Sequence, residues 1–209
     1  MGKKTARPVI IGVTGGLATG KSTVAAMFKR FGAKVLNADK IAHRLMRQGT
    51  TLYKKIVKEF GPKMLTDYGA IDRAKLAAAV FCDRKWLDKL CGIIHPAVIS
   101  DLRKSIRDTA KKGSKIPAIV IDAPLLIEAG MHTMVDALIV VITGPKVEIE
   151  RAKKKTGMSV AEIKRRIKNQ LPLREKAKMA DYIVDNEKSQ EYVKKIVKKI
   201  WEEIKGGRK

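Results

Sequence analysis

The apolar run Val9-Ile10-Ile11-Gly12-Val13 leads almost directly into Gly15-Gly16-Leu17-Ala18-Thr19-Gly20-Lys21-Ser22, and the chain then continues as a helix-forming stretch through Thr23-Val24-Ala25-Ala26-Met27-Phe28. No other segment restricts the fold so far. A buried strand that turns through G-x-x-x-x-G-K-S into a helix is the setting of a phosphate-binding loop in an open α/β sheet. Glycines let successive backbone N–H groups converge on one anion with no Cβ in the way. The helix that follows adds its positive N-terminal end. Lys21 brings a full charge to the β and γ phosphates, and Ser22 offers a hydroxyl to Mg²⁺. Gly15, Gly16, Ala18, Thr19, Gly20, Lys21, Ser22 and Thr23 are therefore candidate residues for binding a nucleoside triphosphate.

Further apolar runs at Lys34–Leu36, Ala118–Ile121, Ala137–Ile142 and Tyr182–Val184 read as buried strands separated by helical patterns. Alternating strands and helices predict a three-layer α/β fold with a mainly parallel five-stranded sheet. We expect one domain over the 209 residues, with its core at about 8–49, 115–146 and 180–209. Between Leu36 and Ala118 the pattern is helix after helix, which predicts a helical acceptor-binding insertion over about 50–114. A simple crossover needs only one helix, and α/β sheets bind ligands at the carboxyl ends of their strands. Asp72 reads as an N-cap, and Asp83 opens the next helix, which runs towards Ile94. Pro96 then interrupts, His95 is expected to be extended before it, and a new helix runs from Ala97 to Lys112.

A second helical segment, about 147–179, follows the fourth strand. Gly144-Pro145 opens it, Gly157 ends its first helix, and Ser159-Val160-Ala161-Glu162 forms a capping box for the next. Its basic residues include Arg151, Lys153, Lys154, Lys155, Lys164, Arg165, Arg166 and Arg174. Such a segment can close over bound phosphates as a lid.

The formal charge of +24 admits nucleic acid, an anionic membrane surface or acidic small molecules as partners. The basic residues are spread along the chain with no continuous basic tail, and most of them read as a lysine-rich solvated surface. No apolar stretch approaches a membrane span of about 20 residues, and Met1–Pro8 has no signal-peptide apolar core. Cys82 and Cys91 match neither a redox pair nor a zinc half-site and are expected to be small reduced groups in or near the core. These features fit a cytoplasmic protein, monomeric or a small homo-oligomer, with no nucleic acid or membrane partner.

Phosphoryl transfer requires a phosphate clamp, a metal and a group that orients the attacking oxygen. Asp39 follows the second strand, at the sheet's carboxyl edge, where a carboxylate can accept an acceptor hydroxyl's proton; N-capping of the helix from Lys40 is the alternative. Asp122 ends the third strand in the hydrophobic-then-acid form Ile119-Val120-Ile121-Asp122, which suits a Mg²⁺-holding acid; capping is again the alternative. No role is assigned to His43 or His132.

Nearly the whole chain resembles the dephospho-CoA kinases. The resemblance rests on Val13-Thr14-Gly15-Gly16-Leu17-Ala18-Thr19-Gly20-Lys21-Ser22-Thr23-Val24, on Asn37-Ala38-Asp39-Lys40-Ile41-Ala42-His43 (similar to D-A-D-x-I-A-R), on Ile71-Asp72-Arg73 and on His95-Pro96. It extends through Pro124-Leu125-Leu126-Ile127-Glu128, similar to P-L-L-F-E, and Ala180-Asp181-Tyr182-Ile183-Val184-Asp185-Asn186, similar to A-D-x-x-I-x-N. It implies a P-loop kinase that uses ATP and Mg²⁺ to phosphorylate the ribose 3′-hydroxyl of dephospho-CoA. By this resemblance Asp39 is the base or orienter of that hydroxyl, and Arg73, His95 and Glu128 join it as acceptor-binding candidates.

Three departures stand out. Asn37 replaces the first carboxylate of D-A-D. In the family's Q-x-x-R-x-x-x-R, Glu148 stands at the glutamine, Arg151 matches the first arginine, and Lys155 replaces the second, keeping the charge but losing the planar bidentate fork. Thr19 stands where serine is frequent. Two other readings remain at this point: a kinase of nucleoside monophosphates or another metabolite, and a basic P-loop protein that binds nucleic acid.

Overall fold

The computed structural model describes residues 7–111 and 116–206. The features read at Met1–Ala6, Lys112 and the last three residues lie outside that range. The described residues form two compact units, one up to Asn37 and again from Ile106 onward, and one of Ala38–Ser105.

The first unit holds a five-stranded sheet built from β1 (Val9–Gly15), β2 (Lys34–Asn37), β3 (Ala118–Asp122), β4 (Ala137–Ile142) and β5 (Tyr182–Asp185). The order is β2-β3-β1-β4-β5, and every pairing is parallel. Buried on both faces, such strands should be apolar throughout; all five residues of β3 are buried, as are five of the six in β4. Each expected strand is present, extended by a residue or two except at β4. The register sets Val13 beside Asp122 on one side and Ile139 on the other. The end of β1 therefore lies next to the end of β3, at the carboxyl edge where open α/β sheets bind ligands.

Helices α1 (Lys21–Arg30) and, near the C-terminus, Gln190–Gly206 cover this sheet. Phe28, Val24, Val193, Val197 and Trp201 join the strand residues in one core cluster. The Trp201 ring lies 6.1 Å from Phe28 and 5.9 Å from Phe31.

The second unit opens with α2 (Ala38–Leu45), α3 (Thr51–Phe60) and α4 (Arg73–Cys82), and α5 (Arg84–Lys111) begins in it. Its core is Leu52, Ile56, Phe60, Met64, Leu76 and Val80, with Phe60 edge-on to Trp86 at 5.4 Å. Asp72 caps α4, accepting from the Ala74 and Lys75 N–H groups at 3.0 Å. Asp83 likewise accepts from the Lys85 N–H at 2.8 Å before α5.

Two expectations need correction here. Pro96 does not break the chain into two helices: α5 is one helix of 28 residues with Pro96 inside it, and His95 is helical rather than extended. An internal proline removes one backbone hydrogen bond and costs about 3 kcal/mol. Burial of Val98 and Leu102 just beyond it offsets that cost. Cys82 is exposed at the end of α4, outside the core, and Cys91 is partly buried; neither is in a disulfide.

The segment after β4 forms α6 (Pro145–Thr156), α7 (Val160–Lys168) and α8 (Leu173–Lys178), before β5 and the final helix, α9 (Gln190–Gly206). Gly157 ends α6 in the left-handed conformation at φ 68°, and the Ser159–Glu162 capping box is closed in both directions.

Candidate active site

The phosphate loop joins β1 to α1. Ala18 sits at φ 57° and Gly20 at φ 93°. A left-handed alanine costs about 1–2 kcal/mol, and such conformations persist where the surroundings impose them. Here they do. The Asn186 amide donates to Thr19 O at 2.8 Å and packs so closely on Gly20 that any Cβ there would collide with it. Lys21 Nζ donates to Gly16 O at 2.7 Å, so the ammonium lies across the loop. Thr19 is fully buried, and its hydroxyl donates to the same carbonyl at 3.2 Å.

Ser22 opens towards β3. Its hydroxyl donates to Asp122 Oδ2 at 2.8 Å, and the Asn37 amide donates to the same oxygen at 2.8 Å. The cap reading of Asp122 does not describe this geometry. A carboxylate at position 37 would face that of Asp122 at hydrogen-bond range; the amide replaces like-charge repulsion with a hydrogen bond. Hydroxyl, carboxylate and amide oxygen are hard donors of the kind Mg²⁺ accepts, and few protein ligands leave positions for water and phosphate. The residues present therefore fit Mg²⁺. No cluster of three or more His, Cys, Asp or Glu side chains suited to a metal occurs among the described residues.

A cleft of about 420 Å³ opens beside the loop, lined by Gly20, Lys21, Ser22 and Thr23 on one side and by Arg151, Lys155 and Lys188 elsewhere on its wall. Arg151 and Lys155 are four apart on α6 and so share a face. Arg151 Nη2 also donates to Asn186 O at 3.1 Å, which ties the cationic helix to the residue that braces the loop. The loop, its serine and both basic lid candidates thus meet at one cleft.

A buried charge cluster lies nearby. Lys176 of α8 has no exposed surface; its ammonium pairs with Glu128 Oε1 at 2.8 Å and donates to Pro124 O at 2.7 Å. Burial lowers its pKa, and Glu128 partly restores it. Glu128 also accepts from the Leu171 N–H at 2.9 Å. Glu148 is 6% exposed, and burial raises its pKa against the opposing pull of the Leu17 N–H, Lys21 and Lys176.

The remaining acceptor candidates lie in the second unit. Asp39 is the second residue of α2, inside its first turn, so it is not the N-cap. Arg73 begins α4, and its Nη1 lies 2.9 and 3.1 Å from the two ring nitrogens of His43. Burial, followed by Arg73, lowers the His43 pKa, and Asp39 opposes the shift. His95 lies within α5.

Sequence reasoning gave no role to Asn186, Lys176 or Glu148. Asn186 was visible as the last letter of A-D-x-x-I-x-N, and Glu148 as an acid in place of glutamine. Lys176 carried no signal, because a buried lysine is indistinguishable from its exposed neighbours in a lysine-rich segment.

No helix among the described residues is long and apolar enough to cross a membrane. The family model described as dephospho-CoA kinase matches residues 9–191. A dephospho-CoA kinase of Aquifex aeolicus is 45% identical over 194 residues, 93% of this chain and 96% of its own. One of Carboxydothermus hydrogenoformans is 42% identical over 85% of both chains. Among solved structures, a dephospho-CoA kinase from Campylobacter jejuni superposes with a TM-score of 0.68 at 27% identity, covering 96% of this chain and 98% of its own. A shikimate kinase from Bacteroides thetaiotaomicron, 13% identical with a TM-score of 0.51 over 94% of this chain and 98% of its own, shares the fold alone. The chain belongs to the dephospho-CoA kinase family.

Proposed function

We propose that this chain transfers the γ-phosphoryl group of ATP to the ribose 3′-hydroxyl of dephospho-CoA, giving coenzyme A and ADP. The observation that carries the reading is the convergence of the phosphate loop, Arg151 and Lys155 on one cleft, with the lining Ser22 bonded to Asp122 behind it, in a chain of this family. The loop N–H groups and Lys21 hold the triphosphate. Ser22 and Asp122 hold Mg²⁺, which when bound screens the phosphate oxygens. Arg151 and Lys155 offset the negative charge of the group in transfer.

In the transfer, the 3′-oxygen forms a bond to the γ-phosphorus, and the bond from that phosphorus to the β–γ bridging oxygen breaks. ADP departs with the electron pair. The hydroxyl proton passes to Asp39, the group assigned to orient the 3′-oxygen. Arg73 and His95 are the proposed acceptor contacts, joined by Glu128, whose carboxylate is preset by Lys176 and Leu171. We place the enzyme in the cytoplasm, with no nucleic acid or membrane partner; its charge suits two polyanionic substrates.

The test is ADP release measured with dephospho-CoA against nucleoside monophosphates and other hydroxyl acceptors. Strong preference for dephospho-CoA supports the reading, and equal or greater turnover with another acceptor refutes it. Steeply salt-dependent nucleic-acid binding with no turnover of any free acceptor would point instead to a nucleic-acid-binding protein.

A further inference from the structure

Glu148 is a buried acid that the mechanism above does not use. It lies in the first turns of α6, with its backbone N–H bonded to Gly144 O at 2.9 Å. Its carboxylate reaches the phosphate loop rather than solvent. The Leu17 N–H dipole and the charges of Lys21 and Lys176 all act on it, each favouring the ionised form against burial. Its Oε1 has no hydrogen-bond partner among the described residues and packs so tightly against Gly16 that a Cβ there would collide with it. Burying an ionised carboxylate is expensive unless it is compensated. Here it is retained at the one place where the loop turns from β1 into its phosphate-facing part.

We propose that Glu148 is a positioning residue of the phosphate loop, holding the Leu17 amide and the Gly16 turn so that the following N–H groups and Lys21 are set for the triphosphate. Two contacts act together. The close packing of the carboxylate on Gly16 removes the room in which the adjoining peptide could rotate, and the attraction between the carboxylate and the Leu17 N–H favours one direction of that peptide. Lys21 and then Lys176 of α8, which is not among the cleft-lining residues, supply counter-charge. On the other flank Asn186 holds Thr19 O. The loop is thus clamped at two carbonyl or amide positions by side chains from outside it. Preorganisation of this kind lowers the ordering cost of binding.

The inference rests on the nucleotide-binding reading of the loop, and the experiment separates the two. Mg-ATP affinity is measured by calorimetry for wild type, E148Q, E148M and E148A, alongside thermal melts and steady-state kinetics in ATP. Glutamine keeps an acceptor for the Leu17 N–H, methionine keeps the volume without one, and alanine avoids forcing a thioether against Gly16. The expected result is at least a ~10-fold loss of Mg-ATP affinity in E148M and E148A, seen chiefly in KM for ATP, with kcat at saturating ATP much less affected. E148Q binds as tightly as wild type or more tightly. Variants that melt earlier but bind Mg-ATP like wild type would overturn the inference, as would an E148Q as weak as E148M. A wild-type protein that ignores Mg-ATP would overturn the nucleotide-binding reading itself.

Discussion

Lys176→Met is the most informative single perturbation of the fold around the site. Lys176 has no exposed surface, and its ammonium is 2.8 Å from Glu128 and 2.7 Å from Pro124 O. Methionine fills the same channel without charge or donor. Removing one partner of a buried ion pair costs about 3–5 kcal/mol, because the other charge is left uncompensated. The Glu128 side chain keeps 20% exposure and its bond from Leu171, so the lower end applies. At about 2–4 °C per kcal/mol for a chain of this size, the melting temperature should fall by roughly 6–12 °C. The assay is thermal and urea unfolding followed by circular dichroism, with E128Q/K176M as the control. If the orphaned carboxylate carries the cost, the double variant recovers part of the loss. The pH dependence has a definite sign. Burial lowers the Lys176 pKa below the ordinary 10.5, so between its folded and unfolded values the unfolded chain binds more protons at this site. The stability contributed by Lys176 therefore rises as pH climbs through that window, and the gap between wild type and K176M widens there. A K176M protein within about 0.5 kcal/mol of wild type, the size of an ordinary surface change, would refute the argument.

Other outcomes follow from the same geometry. Asp39→Asn should fold and bind ATP but lose at least ~10²-fold in kcat, as expected for removal of a general base; near-wild-type turnover would remove Asp39 from the mechanism. Lys155→Arg should match or exceed wild-type activity, because arginine restores the planar fork at the cleft; a large loss would contradict a phosphate-clamping role. Asn37→Asp should weaken Mg-ATP binding by pressing a second carboxylate on Asp122 Oδ2; tighter binding in a Mg²⁺ titration would exclude that explanation.

The strands and the loop were legible because their signals are local: apolar runs for a doubly covered parallel sheet, and Gly-rich turn chemistry between β1 and α1. The caps at Asp72, Gly157 and Ser159 were legible for the same reason, since each uses a side chain or backbone freedom within four residues of its target. Pro96 was misread because tertiary burial at Val98 and Leu102 overrides a local breaker, a balance no short window contains. Asp122 lies 100 residues from Ser22 and 85 from Asn37, yet the loop motif marked Ser22 and the strand end marked Asp122 as metal candidates. What stayed hidden was the clamp on the loop. Glu148 and Asn186 reach it from beyond β4 and β5, and their roles depend on distances of closest approach to Gly16 and Gly20 that only the folded chain defines.

The most direct test of the central assignment is identification of the product. Purified protein is incubated with Mg-ATP and dephospho-CoA, and the mixture is followed by phosphorus NMR. The account predicts a new phosphomonoester signal coupled to the ribose 3′ proton, appearing in step with ADP. ADP formed with inorganic phosphate alone, or a monoester at any other position, would contradict it.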